Sequence, residues 1–271
     1  MNPFNEKVAH QYSCYGRFHQ DKISFVEKGE NASPQAEKAH DLFRSKVLNT
    51  ETLYSCLGAT STFRKGDYRF SMYPKMASLE STKAFSRNLY QFIQDQNNMS
   101  SRLSTYVVCF EQPIPERELH FETLLWEQLQ MLHNEDHGYH TWTQNFSSDP
   151  SNPNFAFSFS ERGFFIVGLH SKSSRNSRQF EFPTIVFNAE YQFQHLFDTK
   201  QFDNFVRIIR QREIKLQGNI NPNLPDTFCS ESSRAKEYSG RAVPLDWKCP
   251  FSAKTLANTE LRTDEEETND S

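Results

Sequence analysis

Several features that would assign this chain to a membrane or to a secretory pathway are missing. No run approaches the ~18 apolar residues that a membrane-spanning helix needs. The chain does not open with a basic start followed by an apolar stretch, so a secretory signal is not expected. Cysteines are few and scattered, an odd set that does not form a disulfide framework. They are Cys14, Cys56, Cys109, Cys229 and Cys249. The sequence therefore predicts a soluble, cytoplasmic protein with reduced thiols and no membrane partner.

The signatures of the common nucleotide-dependent enzymes are absent as well. The chain has no Gly-Lys-Ser/Thr phosphate loop, no Gly-x-Gly-x-x-Gly, no Gly-x-Ser-x-Gly and no Cys-x-x-Cys. An excess of one charge is also lacking outside the C-terminus, because residues 252–271 carry the whole net charge of −4. A neutral body provides no electrostatic field that would attract a phosphate backbone. These absences disfavour nucleotide-dependent enzymes and a nucleic-acid partner.

Aromatic residues are plentiful, since the 271 residues include 25 phenylalanines. That supply argues against disorder, because burial of aromatic side chains offsets the conformational entropy of the chain. Helical and strand patterns are mixed along the sequence, and neighbouring strands look linked by hairpins. We therefore expect an α+β fold, a single domain with a mostly antiparallel sheet flanked by helices. Residues 1–31 are expected to form an irregular N-terminal arm, 32–251 the domain, and 252–271 a disordered acidic tail.

Apolar residues at helical spacing predict four helices. Ser33 and Pro34 are typical of a helix start, and Ser78 can cap a second helix. Two further helices are predicted over 115–133 and 201–216. The residues expected on the buried faces are Ala36, Ala39, Phe43, Val47, Phe85, Leu89, Phe92, Ile93, Phe121, Leu124, Leu125, Leu129, Leu132, Phe202, Phe205, Val206 and Ile209.

Strands are predicted from alternating or continuous apolar residues. They are expected as a pair over 52–73 with a hairpin-type turn at 64–67, and at 104–110, 155–160, 164–170 and 184–187. Phe155, Phe157 and Phe159 alternate with small residues, which is the period of a strand buried on one face. Gly163 can adopt the left-handed conformation and is expected to close a hairpin with the next strand. That next strand is apolar on both faces and is expected to be central.

The first candidate site is His170. In an extended strand its side chain shares a face with Gly168, which leaves an open patch beside the imidazole. Arg175 and Arg178 follow in a basic loop, and arginine binds carboxylates through two parallel hydrogen bonds. Such an arrangement could hold haem through its iron and its propionates. From spacing alone, the alternative is a strand-end histidine beside a solvated basic loop.

Two other groups of residues could bind a metal. Cys249 precedes Pro250, and a thiolate at this position could ligate haem iron; the alternative is a small buried side chain beside Trp247. His133, Asp136, His137 and His140 include ligand types that bind divalent metals. However, Asn134, Asp136 and Gly138 suggest that the helix has already ended, so a polar loop after the helix is the favoured interpretation.

Several longer segments together resemble the YqcI/YcgG family, in order and with similar intervals. They are "CLGATSTFRKGDYRFSMYP", "LLWEQLQMLHNED", "FAFSFSERGFFIVGLHSKSSRNSRQFEFPTIVFN", "IRQREIKLQGNINPNL" and "EYSGRAVPLDWKCPF". The resemblance covers about residues 50–251. It also shows departures: Ser171 replaces a proline, Ser55 replaces a proline, and Glu190 stands where the family has a histidine.

The resemblance implies a function, since members of this family include haem-dependent N-oxygenases. It implies haem b, molecular oxygen, a small amine or guanidine substrate and an external electron donor. His170 and the arginines at 175 and 178 match family positions. They would serve as axial ligand and propionate partners, with Arg210 and Arg212 as further arginine candidates and Cys249 as the competing iron ligand. Glu190 would bind the substrate cation.

Two other functions are considered for a chain with these departures. One is a non-catalytic protein that binds or senses haem with both faces of the iron blocked. The other is a degenerate family member that has lost haem. The replacement of the family histidine by Glu190 motivates the second of these.

Overall fold

The computed structural model describes residues 2–99, 103–223 and 232–254. Seven strands form one sheet in the order β2-β1-β3-β4-β7-β6-β5. Their bounds are β1 Cys14–His19, β2 Lys22–Lys28, β3 Tyr68–Lys75, β4 Thr105–Gln112, β5 Phe157–Phe159, β6 Arg162–Leu169 and β7 Thr184–Ala189. The expected acidic tail lies, apart from its first three residues, outside the described part of the chain.

Seven α-helices surround this sheet within the described residues. They are α1 Lys7–Tyr12, α2 Ala36–Leu48, α3 Leu57–Lys65, α4 Leu79–Gln96, α5 Glu118–Asp136, α6 Tyr191–Asp198 and α7 Phe202–Gln217, with 3₁₀ turns at Asn176–Arg178 and Arg234–Glu237. Only the β3–β4 pair is parallel, because α4 crosses between these two strands. The other neighbouring strands pair antiparallel. The expected α+β fold with a mostly antiparallel sheet is confirmed.

The sheet separates two hydrophobic clusters. Helices α4 and α5 cover one face, where Phe85, Leu89, Phe121 and Leu125 pack against alternate residues of the strands. Helices α2 and α3 cover part of the other face and bury Phe43 among others. All the buried residues that were expected on α2, α4 and α5 are buried. Helical spacing alone was sufficient to predict these buried residues, because each helix buries a single stripe of side chains against the sheet.

The N-terminal residues do not form the expected irregular arm. They contain α1 and the β1–β2 hairpin, and β1 pairs with β3. The turn of this hairpin consists of Gln20 and Asp21, which have φ values of 48° and 59°. A two-residue turn with positive φ is usually signalled by glycine or asparagine. The absence of that signal explains why the hairpin was not predicted.

The segment 52–73 is a helix followed by a strand rather than a hairpin. Cys56 caps the N-terminus of α3, and Gly66 ends the helix with φ 75°. A left-handed glycine terminates a helix as readily as it forms a hairpin turn, so the sequence pattern alone could not distinguish the two. The prediction of two strands was therefore wrong, and α3 instead contributes to the site described below.

Two smaller predictions also differ from the structure. The β5–β6 hairpin is present, but Ser160 and Glu161 form its turn with positive φ, and Gly163 lies within β6. On α7 only Phe202 of the four expected core residues is buried. Phe205, Val206 and Ile209 are partly exposed because they face a cavity.

Candidate functional site

His170 lies at the end of β6 on the sheet face covered by α5. Its side chain is buried, and the imidazole stacks on the Phe121 ring with 4.3 Å between centroids. The Nδ1 atom accepts a hydrogen bond from the Lys172 amide at 3.2 Å. Burial lowers the pKa of His170 to about 4. These contacts describe a neutral imidazole that is packed into the core.

The open patch expected beside His170 is filled. A Cβ atom added to Gly168 would lie 2.5 Å from Phe121 Cε1 and 3.0 Å from the Tyr238 carbonyl oxygen. The Gly168 amide donates a hydrogen bond to the same carbonyl at 2.7 Å. Gly168 therefore allows a close approach of Phe121 and of the Tyr238 backbone. A haem does not fit on this face.

The opposite face of the same strands lines a cavity with a volume of about 220 Å³. Phe165 and Val167 of β6 form its floor, and α3, α6 and α7 form its walls. The apolar side chains of the walls include Ala59, Leu103, Phe193, Leu196, Phe202, Phe205, Val206 and Ile209. Alternation along β6 places these two floor residues opposite to Gly168 and His170. The expected iron ligand thus points away from the cavity.

Arginine side chains converge on this cavity. Arg175, Arg178, Arg210 and Arg234 line it, against two carboxylates, Glu213 and Glu237. Positive charge therefore exceeds negative charge in the wall. A cavity with apolar walls and excess arginine suits an apolar molecule that carries carboxylates.

The two arginines singled out from the sequence are held differently. Arg175 is buried and donates to Glu213 at 3.0 Å and to the Asn219 side chain and carbonyl oxygen. Its Nε atom is buried without a hydrogen-bond partner. Arg178 donates to the Gly168 carbonyl oxygen at 3.1 Å. Burial lowers the pKa of the Arg178 guanidinium. Both residues line the cavity.

The carboxylates near the cavity have distinct environments. Burial alone would raise the pKa of Glu213, but hydrogen bonds from Ser55, Ser177 and Arg175 lower it overall. Burial raises the pKa of Glu237 to about 7, although Arg234 and Arg178 oppose this shift. Glu237 therefore exchanges its proton near neutral pH.

Glu190 is not part of the cavity wall. Its carboxylate already binds a guanidinium, since Arg234 donates to both of its oxygens at 3.1 Å. Burial raises the pKa of Glu190, and Arg234 opposes the shift. The carboxylate of Glu190, which was expected to bind the substrate cation, is thus already paired with Arg234. Glu237, which sequence reasoning did not identify, is the carboxylate that lines the cavity nearby.

Two cysteines differ in their relation to the cavity. Cys56 lines it and caps α3, where its sulfur accepts a hydrogen bond from the Ala59 amide at 3.4 Å. Burial raises the pKa of Cys56, and the Ala59 and Gly58 amides oppose this shift. Cys249 instead packs against the cluster around α5, outside the cavity wall, and burial raises its pKa to about 12. Cys249 and Trp247 pack against the same cluster, as in the alternative in which Cys249 is a small buried side chain rather than an iron ligand.

The histidines at the end of α5 and just after it make hydrogen bonds within the chain. The helix extends to Asp136, beyond the expected end. His133 Nε2 accepts the Lys254 amide, and His140 pairs with Asp136 at 2.8 Å. Among the residues that the structure describes, no group of three or more potential ligands is placed to hold a metal ion.

The cavity wall contains residue types that are able to bind haem, but the cavity volume of about 220 Å³ is below the ~300–1,000 Å³ of pockets for drug-sized ligands. Iron in proteins is held by histidine, cysteine, methionine or tyrosine. Within the described lining, Cys56 and Tyr54 are of these types, and Arg175 and Arg178 are suitable partners for propionates. Strand β6 presents alternate residues to opposite faces of the sheet, and this alternation puts Phe165 and Val167 in the cavity. The helices of the wall come from two distant parts of the sequence, α3 from one and α6 with α7 from the other. Only the family resemblance around Cys56 could have indicated α3 as part of the site.

Comparisons with known proteins assign the sequence to a family. The curated protein described as uncharacterized protein YqcI, from Bacillus subtilis (strain 168), is 23% identical over 212 residues, which cover 76% of this chain and 78% of the relative. No solved structure matches the chain. Within the described residues, no helix has the length and apolar character needed to cross a bilayer. The model of the YqcI/YcgG family matches residues 43–252, so the chain belongs to the YqcI/YcgG family.

Proposed function

We propose that this protein is a haem-dependent N-oxygenase that holds haem b in the cavity between β6 and the helices α3, α6 and α7. The observation that carries this proposal is the combination, in one cavity, of apolar walls, an excess of arginine and a thiol. The family resemblance implies the cofactor, and the residue types of the cavity wall support this location over the His170 face.

The charges of the cavity support the binding of a dicarboxylate. Haem is a flat apolar ring that bears two propionates, and each can accept bidentate hydrogen bonds from a guanidinium. Arg175 already donates from its terminal nitrogens to Glu213 and Asn219. Among the described residues, the Arg178 guanidinium donates to backbone carbonyl oxygens at 3.1 to 3.5 Å. A carboxylate in the cavity would therefore give Arg178 a charged partner.

The weak packing of α6 and α7 supports a cavity whose volume can increase. The cavity of about 220 Å³ is smaller than the ~300–1,000 Å³ of usual pockets for drug-sized ligands, so a haem requires the wall to move outward. Helix α6 buries only Gln192, and α7 buries only Phe202 and Glu213. In contrast, α4 and α5 bury eleven and ten residues. Displacing α6 and α7 thus removes little packed surface.

The chain's own groups would position the substrate and handle protons. Bound haem would supply the place where oxygen is activated. N-hydroxylation consumes one oxygen molecule, two electrons and two protons, and yields the hydroxylamine and water. The electrons come from an external donor, because the sequence has no flavin or nicotinamide motif. Glu237 can hold the substrate ammonium or guanidinium and exchange a proton near neutral pH.

A second candidate function is favoured by the cavity volume. As it stands, the cavity admits a small apolar carboxylate without movement of α6 and α7, and the arginine excess would bind its charge. In this case the protein would be a non-catalytic binding protein that has lost haem. This matches the departure at Glu190, whose carboxylate is used internally by Arg234.

Reconstitution of the purified protein with haem b separates the two candidates. We expect a Soret band at one haem per chain in the wild type. Ile209→Trp fills the cavity from α7 and should lower haem affinity at least tenfold. Ile214→Trp is the matched control, because Ile214 lies on the same helix and is 49% exposed.

Two results of this experiment are decisive. Equal haem affinity in Ile209→Trp and Ile214→Trp would place the haem elsewhere and refute the proposal. No Soret band in the wild type would leave the second candidate, which is then tested by displacement of anilinonaphthalene sulfonate with a medium-chain carboxylate. For a protein that binds haem, oxygen consumption dependent on an added amine, with a chemical reductant, tests the N-oxygenase activity.

A further inference from the structure

We propose that a second cavity, on the side of α3 that faces away from the first, binds a small phosphomonoester with a short apolar group. This second cavity has a volume of about 280 Å³ and lies between the end of α2, residues 49–54, α3 and Arg212 of α7. Tyr54 borders both cavities. The proposal goes beyond the proposed function and depends neither on haem nor on N-oxygenation.

Helical spacing divides α3 between the two cavities. Gly58, Ala59 and Thr62 border the first cavity. The residues of α3 that border the second are Leu57, Thr60, Ser61, Arg64 and Lys65. Residues three and four apart share a face of a helix, so one short helix presents one face to each cavity.

The charges around the second cavity have one sign. Arg64, Lys65 and Arg212 border it, and among the described residues no carboxylate does. Arg64 and Lys65 are exposed, whereas Arg212 is half-buried and donates to the Tyr54 carbonyl oxygen at 2.9 Å. This hydrogen bond holds the Arg212 guanidinium at the cavity wall. Three like charges around one small space repel each other, and a bound anion would relieve the repulsion.

A phosphomonoester matches these charges better than a carboxylate does. It carries about two negative charges at neutral pH and three acceptor oxygens. A guanidinium binds phosphate through two parallel hydrogen bonds, and a lysine binds it as a point charge. The Ser61 residue borders the same space, and its hydroxyl is able to donate a further hydrogen bond.

The remainder of the wall suits an apolar group on the phosphate. Val47, Leu53, Tyr54 and Leu57 border the cavity. Leu53 is 46% exposed, so an apolar group that covers it removes apolar surface from water. Since an apolar cavity of ~150 Å³ can hold benzene, about 280 Å³ has room for a ring and a phosphate. The ligand class is therefore a small aryl or alkyl phosphate.

Isothermal titration calorimetry of the full chain with phenyl phosphate tests this site. We expect one binding event per chain in the wild type. Removing two of the three cations, in the double variant Arg64→Gln with Lys65→Gln, should weaken binding by about tenfold or more. Both side chains are exposed, so the variant should keep the wild-type circular dichroism spectrum. 

Two controls locate the effect. Lys7→Gln with Lys248→Gln removes the same charge at two exposed positions outside the cavity wall and should keep the wild-type affinity. Ile209→Trp fills the first cavity, which also contains arginines, and should keep the affinity as well. Leu53→Ser should weaken the binding of phenyl phosphate but not that of inorganic phosphate, because it alters only the apolar wall.

Four outcomes would overturn the proposal. They are no binding of phenyl phosphate by the wild type, an unchanged affinity in the Arg64 and Lys65 double variant, an equal loss in the Lys7 and Lys248 control, and a loss in Ile209→Trp. The last would place the anion in the first cavity. Benzoate that binds as tightly as phenyl phosphate would show that the site does not select phosphate and would refute the ligand class.

Discussion

Replacing Gly168 by alanine tests whether the face around His170 is closed. The added methyl carbon would lie 2.5 Å from Phe121 Cε1, 3.0 Å from Phe121 Cζ and 3.0 Å from the Tyr238 carbonyl oxygen. Neither neighbour can move easily, because the Phe121 ring is fully buried and the other atom belongs to the backbone. Overpacking of this kind costs about 1–3 kcal/mol. We expect a loss of about 2 kcal/mol in the free energy of unfolding.

Urea denaturation of Gly168→Ala and of a matched control measures this loss. Gly163→Ala is the control, because Gly163 lies in the same strand and its added methyl would meet the Phe146 side chain at 2.8 Å. Phe146 is only partly buried, so its ring can shift at low cost. The melting temperature of Gly168→Ala should fall by about 4 °C for a chain of this size. Gly163→Ala should lose clearly less.

A double-mutant cycle locates the cause. Phe121→Leu removes the ring atoms that the new methyl would meet, so Gly168→Ala should cost about 1 kcal/mol less in that background. If Gly168→Ala costs no more than Gly163→Ala, or if Phe121→Leu brings no relief, the patch beside His170 is open. The face around His170 would then be the better candidate for haem binding, and our placement of the site in the opposite cavity would be wrong.

Three further predictions concern the buried carboxylates and a helix cap. The pKa of Glu237 rises from 4.5 to about 7 on folding, so stability should decrease by about 3 kcal/mol as the pH rises from 4.5 through 7. Glu237→Gln should flatten that dependence in urea titrations at several pH values, and an unchanged slope would contradict the assignment. Arg234→Met leaves Glu190 buried without its partner and should cost about 3–5 kcal/mol. Adding Glu190→Gln should recover part of this loss, and a lack of recovery would show that the pair is not the cause. Ser78 accepts the Ser81 amide at the start of α4, so Ser78→Ala should cost about 1 kcal/mol in thermal unfolding and Ser78→Asn much less.

Much of the fold could be predicted because local spacing determines it. Phe85, Leu89, Phe92 and Ile93 recur at helical spacing, and α4 buries all of them. Strands β4 and β7 follow from short β-branched and aromatic segments. The failures occurred where a local signal has two structural meanings. Gly66 ends a helix where a hairpin was expected, and the β1–β2 hairpin turns through Gln20 and Asp21 without a glycine.

The sequence by itself determined that Gly168 and His170 share one face of a strand, and that arginines follow at 175 and 178. Only the tertiary structure decided which face is open. Phe121, which is distant in sequence, packs on the His170 ring and into the space left by Gly168. Helices α3, α6 and α7 leave a cavity on the other face. The start of α3 brings Cys56 into its wall, and the 3₁₀ turn Arg234–Glu237 brings Glu237. Strand periodicity assigns residues to two faces, but whether a face is packed or open depends on side chains from elsewhere in the chain.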